Sequence, residues 1–268
     1  MSASDLKVSI VIPVWNNPTG IKNLLESFSS AGDTLEEIIV VEKVRNELTS
    51  EICGEHGAKY IVHDAGRSAA KNYGYKIATG DWIMFLDSDM ALEEGAINIC
   101  LEGSAEFDAL CLRERVVYGS NYWARARAIE RNAMFRSDIY ESVRVIRRDV
   151  LHIIGGYDEQ LDGYEDLDLH ARIMEGGYRI GWSEATVLHN EDEIGFKAYL
   201  SKRRLYALGK KVYATRHPAR WKQLRSPSRR LKLIASGMHG YKFSEISYLI
   251  PGLALLRGIE FLDSMLFE

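Results

Sequence analysis

The chain has 268 residues, 46% apolar and 27% charged, with a formal net charge of −4, the composition of an ordinary globular protein, with room for one large α/β domain or for a domain plus a smaller appendage. Cys53, Cys100 and Cys111 are an odd number with no C-x-x-C pair, so buried thiols in a reducing compartment are expected rather than a disulfide framework. With no run of about 18 apolar residues and a polar start from Met1 to Lys7, neither a transmembrane span nor a signal peptide is expected, and a cytoplasmic location follows.

In chain order, Val8–Val14 is an apolar run that predicts a first strand, closed by Trp15-Asn16-Asn17-Pro18. Helical spacing of Ile21, Leu24, Leu25 and Phe28 then predicts a helix from about Thr19 to Gly32. Ile38–Val41 reads as a second buried strand, Tyr60–Val62 as a short third, and Ser68–Ala78 as a helix stopped by Gly80. The run from Trp82 to Leu86 is a fourth strand. Strand and helix alternating at this rhythm predict βαβ units and a mostly parallel sheet. Beyond it, Ala109–Arg113 and Val143–Ile146 are candidate strands flanking an arginine-rich helix around Trp123–Arg136, and Asp166–Glu175 is a helix stopped by Gly176-Gly177.

Three features carry chemistry. The fourth strand ends abruptly in Asp87-Ser88-Asp89, and a strand buried on both faces must release its charges at its carboxyl end, where open α/β sheets bind ligands. Two carboxylates there suit Mg²⁺ or Mn²⁺ with a phosphate-rich substrate, although Asp and Ser are also ordinary turn residues. The second feature is Glu165-Asp166-Leu167-Asp168 at a helix start, where the dipole favours anions; it supplies a candidate proton acceptor or merely a stabilised helix end. The third is His189 after a short apolar run, a structural histidine or a further metal ligand. Charge is also segregated: Ile194–Ser244 holds 14 Lys/Arg and no Asp or Glu, leaving 20 basic and 38 acidic residues elsewhere. That segment suits an anionic partner such as phosphate or acidic lipid, or docks on the acidic body of its own protein.

The order of I-P-V-W-N, G-R-S-A-A-K-N-Y-G, G-D-W-I-M-F-L-D-S-D, G-G-Y-D-E, G-Y-E-D-L-D-L and His189 resembles the family 2 glycosyltransferases, inverting enzymes with the GT-A fold, over roughly residues 6–215. The resemblance implies a GT-A domain over 1–215, a mostly parallel sheet flanked by helices, followed by a basic helical extension over 216–268. It implies that Pro13, Val14 and Trp15 line the base and ribose pocket of a nucleotide-sugar, that Glu42 contacts the base, and that Arg67 approaches the base or diphosphate. Asp87 and Ser88 would face the ribose or metal, and Asp87, Asp89 and His189 would hold Mn²⁺ or Mg²⁺. Asp166 would be the catalytic base, with Glu165 the second candidate. A hexosyl or N-acetylhexosaminyl group would pass to a glycan or lipid-linked acceptor in cell-surface polysaccharide or glycoconjugate synthesis, with UDP the favoured nucleotide.

One departure is Lys43, where the family commonly has a second acid after Glu42; it supports a rival reading, a GT-A-fold nucleotide-binding or regulatory protein without turnover. A nucleotidyltransferase would place a glycine-rich loop where Trp15-Asn16-Asn17-Pro18 stands, and the acidic body argues against a nucleic-acid partner. On the acceptor side, Arg125, Arg127, Arg131 and Arg136 with the basic tail suit an anionic acceptor. Leu253, Leu256, Ile259, Leu262 and Leu266 at helical spacing give the tail a stripe for its own domain, for a second subunit or for the inner face of the cell membrane.

Overall fold

A computed structural model describes residues 6–265 apart from 103, 135, 138, 162, 192–194 and 238–240. The elements run β1 (Val8–Val14), α1 (Pro18–Glu26), β2 (Leu35–Glu42), α2 (Glu47–Glu55), β3 (Lys59–Val62), α3 (Arg67–Ile77), β4 (Trp82–Phe85), β5 (Met90–Leu92) and α4 (Ala96–Leu101). They continue through β6 (Ala109–Val117), α5 (Tyr122–Ala133), β7 (Val145–Arg147), α6 (Arg148–Ile154), α7 (Glu165–Glu175) and β8 (Ile180–Asn190). A helical tail closes the chain: α8 (Phe196–Leu205), α9 (Ala207–Arg216), α10 (Pro218–Leu224), α11 (Pro227–Gly237) and α12 (Phe243–Met265). Leu266 of the predicted stripe lies outside the described residues.

Eight strands form one sheet in the order β3-β2-β1-β4-β7-β6-β8-β5. Every residue of β1 is buried because both sheet faces are covered. Ile10 and Ile12 pack in one layer with Ile21, Leu24 and Leu25 of α1, while Val11 turns to the opposite layer with Ala70 of α3 and Leu169 of α7. Glycine sets the separation of α3 from the sheet: a Cβ on Gly74 would lie 2.3 Å from Val11 Cγ1. Asn17 starts α1 by accepting from the Gly20 backbone N–H at 3.0 Å, with Pro18 at the first helical position.

The sheet is mixed: the mostly parallel set expected from the sequence is present, and two short strands run against it. β3, β2, β1 and β4 are mutually parallel and β6 is parallel to β8, but β7 is antiparallel to both β4 and β6, and β5 is antiparallel to β8. The antiparallel strands β5 and β7 have three residues each, too few to show a period. β5 nonetheless decides the site, since its pairing sets Met90 opposite His189 and lets the Asn190 N–H donate to the Asp89 carbonyl at 2.9 Å.

The tail helices lie against the body. Ile234 of α11 and Leu249 and Leu253 of α12 cluster with Ala126 and Ile129 of α5, and the Gly252 N–H donates to the Tyr122 hydroxyl at 2.9 Å. The opposite face of α12 presents Phe243, Tyr248, Leu255 and Leu262 as exposed apolar side chains. Among the described residues, no helix is long and apolar enough to cross a membrane. All three cysteines are buried and outside any disulfide, and burial pushes the Cys53 thiol up to about 11 and the Cys100 thiol to about 12.

Candidate active site

The carboxyl ends of β1, β2 and β4 meet at one edge of the sheet. Pro13 and Val14 are buried in the last residues of β1, and Trp15 is the first to emerge, 70% exposed, with the Lys43 ammonium 4.8 Å from its ring centroid. Lys43 thus forms part of an aromatic and cationic shelf. Glu42 is fully buried, and both its oxygens are engaged: one accepts from the Asn16 N–H at 3.1 Å and the other from the Tyr60 hydroxyl at 2.8 Å. It holds the shape of the loop after β1. Ser88 is tied to the same loop, as the Asn17 side-chain amide donates to its hydroxyl at 3.1 Å and to its carbonyl at 3.2 Å.

Asp89 and His189 are in contact, with His189 Nε2 at 3.2 Å from Asp89 Oδ2. Behind the ring, Nδ1 meets Glu114 Oε1 at 2.8 Å. Burial alone would push the imidazole down, but hydrogen bonds to Asp89 and Glu114 outweigh it and raise His189 to about 9. Asp87 stands in a different company: Lys71 Nζ is 4.0 Å, Arg67 Nη1 3.8 Å and Arg144 Nη1 3.7 Å from its carboxylate. Burial works against its charge, yet these three cations hold its carboxyl below the usual range. Among the described residues, no three His, Cys, Asp or Glu side chains are gathered closely enough to hold an ion by themselves. The donor chemistry fits a divalent cation all the same. Asp87 Oδ1 and Asp89 Oδ1 are buried without a hydrogen-bond partner, and Glu114 orients the histidine as a carboxylate behind a metal ligand does.

The second carboxylate pair divides its roles. Glu165, the first residue of α7, is buried: Oε2 accepts from the Gly163 N–H at 2.7 Å, while Oε1 lies 3.3 Å from Arg67 Nε and 3.5 Å from Lys71 Nζ. Asp166, next along the helix, points to the cavity, and its Oδ1 takes a 2.8 Å hydrogen bond from Lys71. Asp168 is buried under Arg172, Arg216 and His217 and braces the helix against the tail. Lys71 was not among the candidates from sequence, yet it is fully buried and touches Asp87, Glu165 and Asp166 together. Arg144 and Glu114, which link Asp87 to His189, were also missed. Lysine on a helix and charges on a strand carry no one-dimensional mark of facing inward.

These groups open into a cavity of about 630 Å³ whose lining includes Arg67, Asp87, Asp166 and His189. Arg127 and Arg131 of α5 also line it, whereas Arg125 pairs with Glu245 and Arg136 with Glu184. Tyr206, at the junction of α8 and α9, packs on the loop before α7: a Cβ on Gly163 would fall 2.1 Å from its ring, and Arg67 donates to its hydroxyl at 2.7 Å.

Residues 9–157, more than half of the chain, match the model of the family described as Glycosyl transferase family 2. The chain belongs to this family. A curated relative, the Pre-mycofactocin glycosyltransferase of Mycobacterium tuberculosis, is 26% identical over 230 residues, covering 79% of this chain and 48% of its own length. The chain therefore spans about half the length of the curated relatives it first matches. Among solved structures, the mannosyltransferase PcManGT from Pyrobaculum calidifontis, in complex with GDP-Man and Mn2+, superposes with a TM-score of 0.62 at 16% identity, covering 97% of this chain and 84% of its own. The S. aureus TarS 1-349 structure gives 0.55 at 15% identity, covering 94% and 90%. At these identities the structural matches establish the fold, a GT-A-like mixed sheet flanked by helices.

Proposed function

We propose that this chain is a metal-dependent, inverting glycosyltransferase that moves a sugar from a nucleotide-sugar, a UDP-sugar in the first instance, to a glycan or lipid-linked hydroxyl. The observation that carries the reading is the convergence of Asp166, Asp87 and His189 on one cavity at the carboxyl edge of the sheet. Residues 1–215 would form the transferase domain, and 216–268 an extension on the acceptor side.

The chemistry follows from the placement. Trp15 with Lys43 offers a face for the base, and Arg67 a charge for the diphosphate. Asp89 and His189 would hold the cation with Asp87 beside them. When bound, Mg²⁺ or Mn²⁺ supplies Lewis-acid neutralisation of charge on the leaving diphosphate. Lys71 fixes Oδ1 of Asp166, leaving Oδ2 to take the proton of the acceptor hydroxyl as the new C–O bond forms and the bond to the leaving phosphate oxygen breaks. Attack opposite the leaving group inverts the anomeric carbon. Glu165, buried and saturated, serves as a brace for Arg67 and Lys71. The exposed apolar face of α12 beside a basic tail would seat the protein on the inner face of an acidic membrane.

The test is calorimetric titration of UDP, GDP and dTDP, each with Mn²⁺ and with chelator, into wild type and Asp89→Asn. Manganese-dependent binding of one nucleotide, weakened at least tenfold in Asp89→Asn, supports the donor site and names the base. Binding without turnover on any conjugate of that nucleotide would favour the rival, a nucleotide-binding protein without catalysis; no binding at all in folded protein sinks the donor-site assignment.

A further inference from the structure

The cavity is lined by ten lysine and arginine side chains against five carboxylates. A nucleotide diphosphate with its divalent cation is close to neutral, so the donor does not absorb this excess. Eight of these ten cations come from α5 and the helical tail, which supply one end of the cavity. There Arg127 of α5 meets Glu191 at 2.9 Å, while Arg257 of α12 and Arg230 of α11 share Glu130 and Glu260. Arg131, on the same helix as Arg127, links this end to the candidate metal ligands through Glu114, which meets His189 directly and Asp87 by way of Arg144.

The ion pairs leave demand unmet. Arg127 Nε and Arg257 Nε are buried without an acceptor, and Arg230 Nε lies 3.2 Å from Glu130 Oε1 but outside hydrogen-bond geometry; the facing oxygens of Glu130 and Glu191 Oε2 are ion-paired without hydrogen-bond geometry as well. Burial, and then the repulsion of Arg131 and Arg257 against the attraction of Glu191, leave Arg127 with a lowered pKa. Buried guanidinium N–H groups without acceptors are costly in a finished fold and suit an oxyanion that completes them. Aromatic rings of Tyr199, Tyr206 and Trp221 line the same cavity and offer faces for a sugar.

We infer that this end of the cavity is the acceptor's anchoring site, in which Arg127, Arg230 and Arg257 grip a phosphate or diphosphate group carried by the acceptor. Guanidinium forks match phosphate oxygens two at a time, and an excess of several charges suits a diphosphate better than a single carboxylate. The arginines come from the body and from the last two helices, so the tail is part of substrate recognition. Its role in acceptor binding rests on the transferase reading above; the anion site itself does not.

The probe is inorganic pyrophosphate, titrated in EDTA into wild type, Arg127→Gln, Arg257→Gln and Arg67→Gln. Arg127→Gln and Arg257→Gln should each weaken binding about tenfold, and each by more than Arg67→Gln, at the donor end, does. Lys202→Gln, an exposed residue on the cavity rim, should weaken it about threefold and serves if the arginine variants do not fold. Absence of pyrophosphate binding by wild type, or binding lost in Arg67→Gln and retained in the other three variants, overturns the proposal. Farnesyl diphosphate, titrated alongside, separates two sources of the same group: binding at least tenfold tighter than pyrophosphate supports a lipid-linked diphosphate, and equal binding supports a soluble phosphorylated glycan. Nucleotide titration in Mn²⁺ is read separately. Its failure with pyrophosphate binding intact removes the transferase reading and leaves the anion site standing.

Discussion

Lys71→Met tests the electrostatic centre of the site. The ammonium is fully buried, 2.8 Å from Asp166, 3.5 Å from Glu165 and 4.0 Å from Asp87, with Arg67 and Arg144 as the neighbouring cations. Three cations therefore balance three carboxylates, and methionine leaves one negative charge uncompensated at nearly the same volume. At an effective dielectric of about 20, the 2.8 Å pair alone is worth about 6 kcal/mol of attraction. Desolvating the ammonium cancels part of this, and truncating one partner of a buried pair costs about 3–5 kcal/mol in practice. Urea unfolding should therefore show Lys71→Met less stable by that amount. Lys71→Met/Asp166→Asn removes one charge of each sign, so the double variant should recover about 2–3 kcal/mol relative to additivity. A loss below about 1 kcal/mol for Lys71→Met, or single effects that add within about 0.5 kcal/mol, would refute the account of Lys71 as the balancing charge.

Other outcomes can be checked with the same protein. His170 is buried beside Cys111, and burial followed by the nearby Arg220 charge pushes its imidazole down to about 4. The unfolded chain takes up that proton below about pH 6.5 and the folded chain does not, so stability should fall as pH drops from 6.5 towards 4, by up to about 3 kcal/mol; urea midpoints across that window in wild type and His170→Gln measure it, and the variant should lose this part of the slope. Gly74→Ala, which in an exposed helix would gain up to about 1 kcal/mol, should lose about 1–3 kcal/mol here because the new methyl meets Val11; thermal melts should show less than additive loss when Val11→Ala is added. Gly163→Ala combines a backbone at φ +85° with a collision against Tyr206, so it should cost about 1–3 kcal/mol and lower turnover more than nucleotide affinity, as read by unfolding and by steady-state kinetics.

How much of this was legible in the sequence depends on how far each feature announces itself locally. β1 matched its predicted limits because seven consecutive buried residues need no partner to be recognised, and α3 and α7 were found to within a residue or so from their glycine stops. α2 went unread: only Thr49, Ile52 and Cys53 of its nine residues are buried, too few for a strong period. β8 is not among the predicted strands, and only the short apolar run before His189 stands out, because Ser183, Glu184 and Thr186 interrupt the pattern. Asp87, Glu165 and Asp166 of the motifs line the cavity and Asp89 touches His189 beside it, but the network between them did not follow from the motifs. Whether Lys71 enters the core and whether Glu114 reaches His189 are decided by the pairing of β6 with β8 and by the seat of α3, and both are long-range facts.

The three buried thiols give the protein a practical property. With Cys53, Cys100 and Cys111 sequestered and the first two held far from their reactive thiolate form, wild type should resist maleimide dyes under native conditions without any cysteine being removed. A single cysteine at Ser247, exposed on the outer side of α12, would then carry the only fluorophore, and its emission colour would report directly whether water, lipid or another polypeptide lies against that helix.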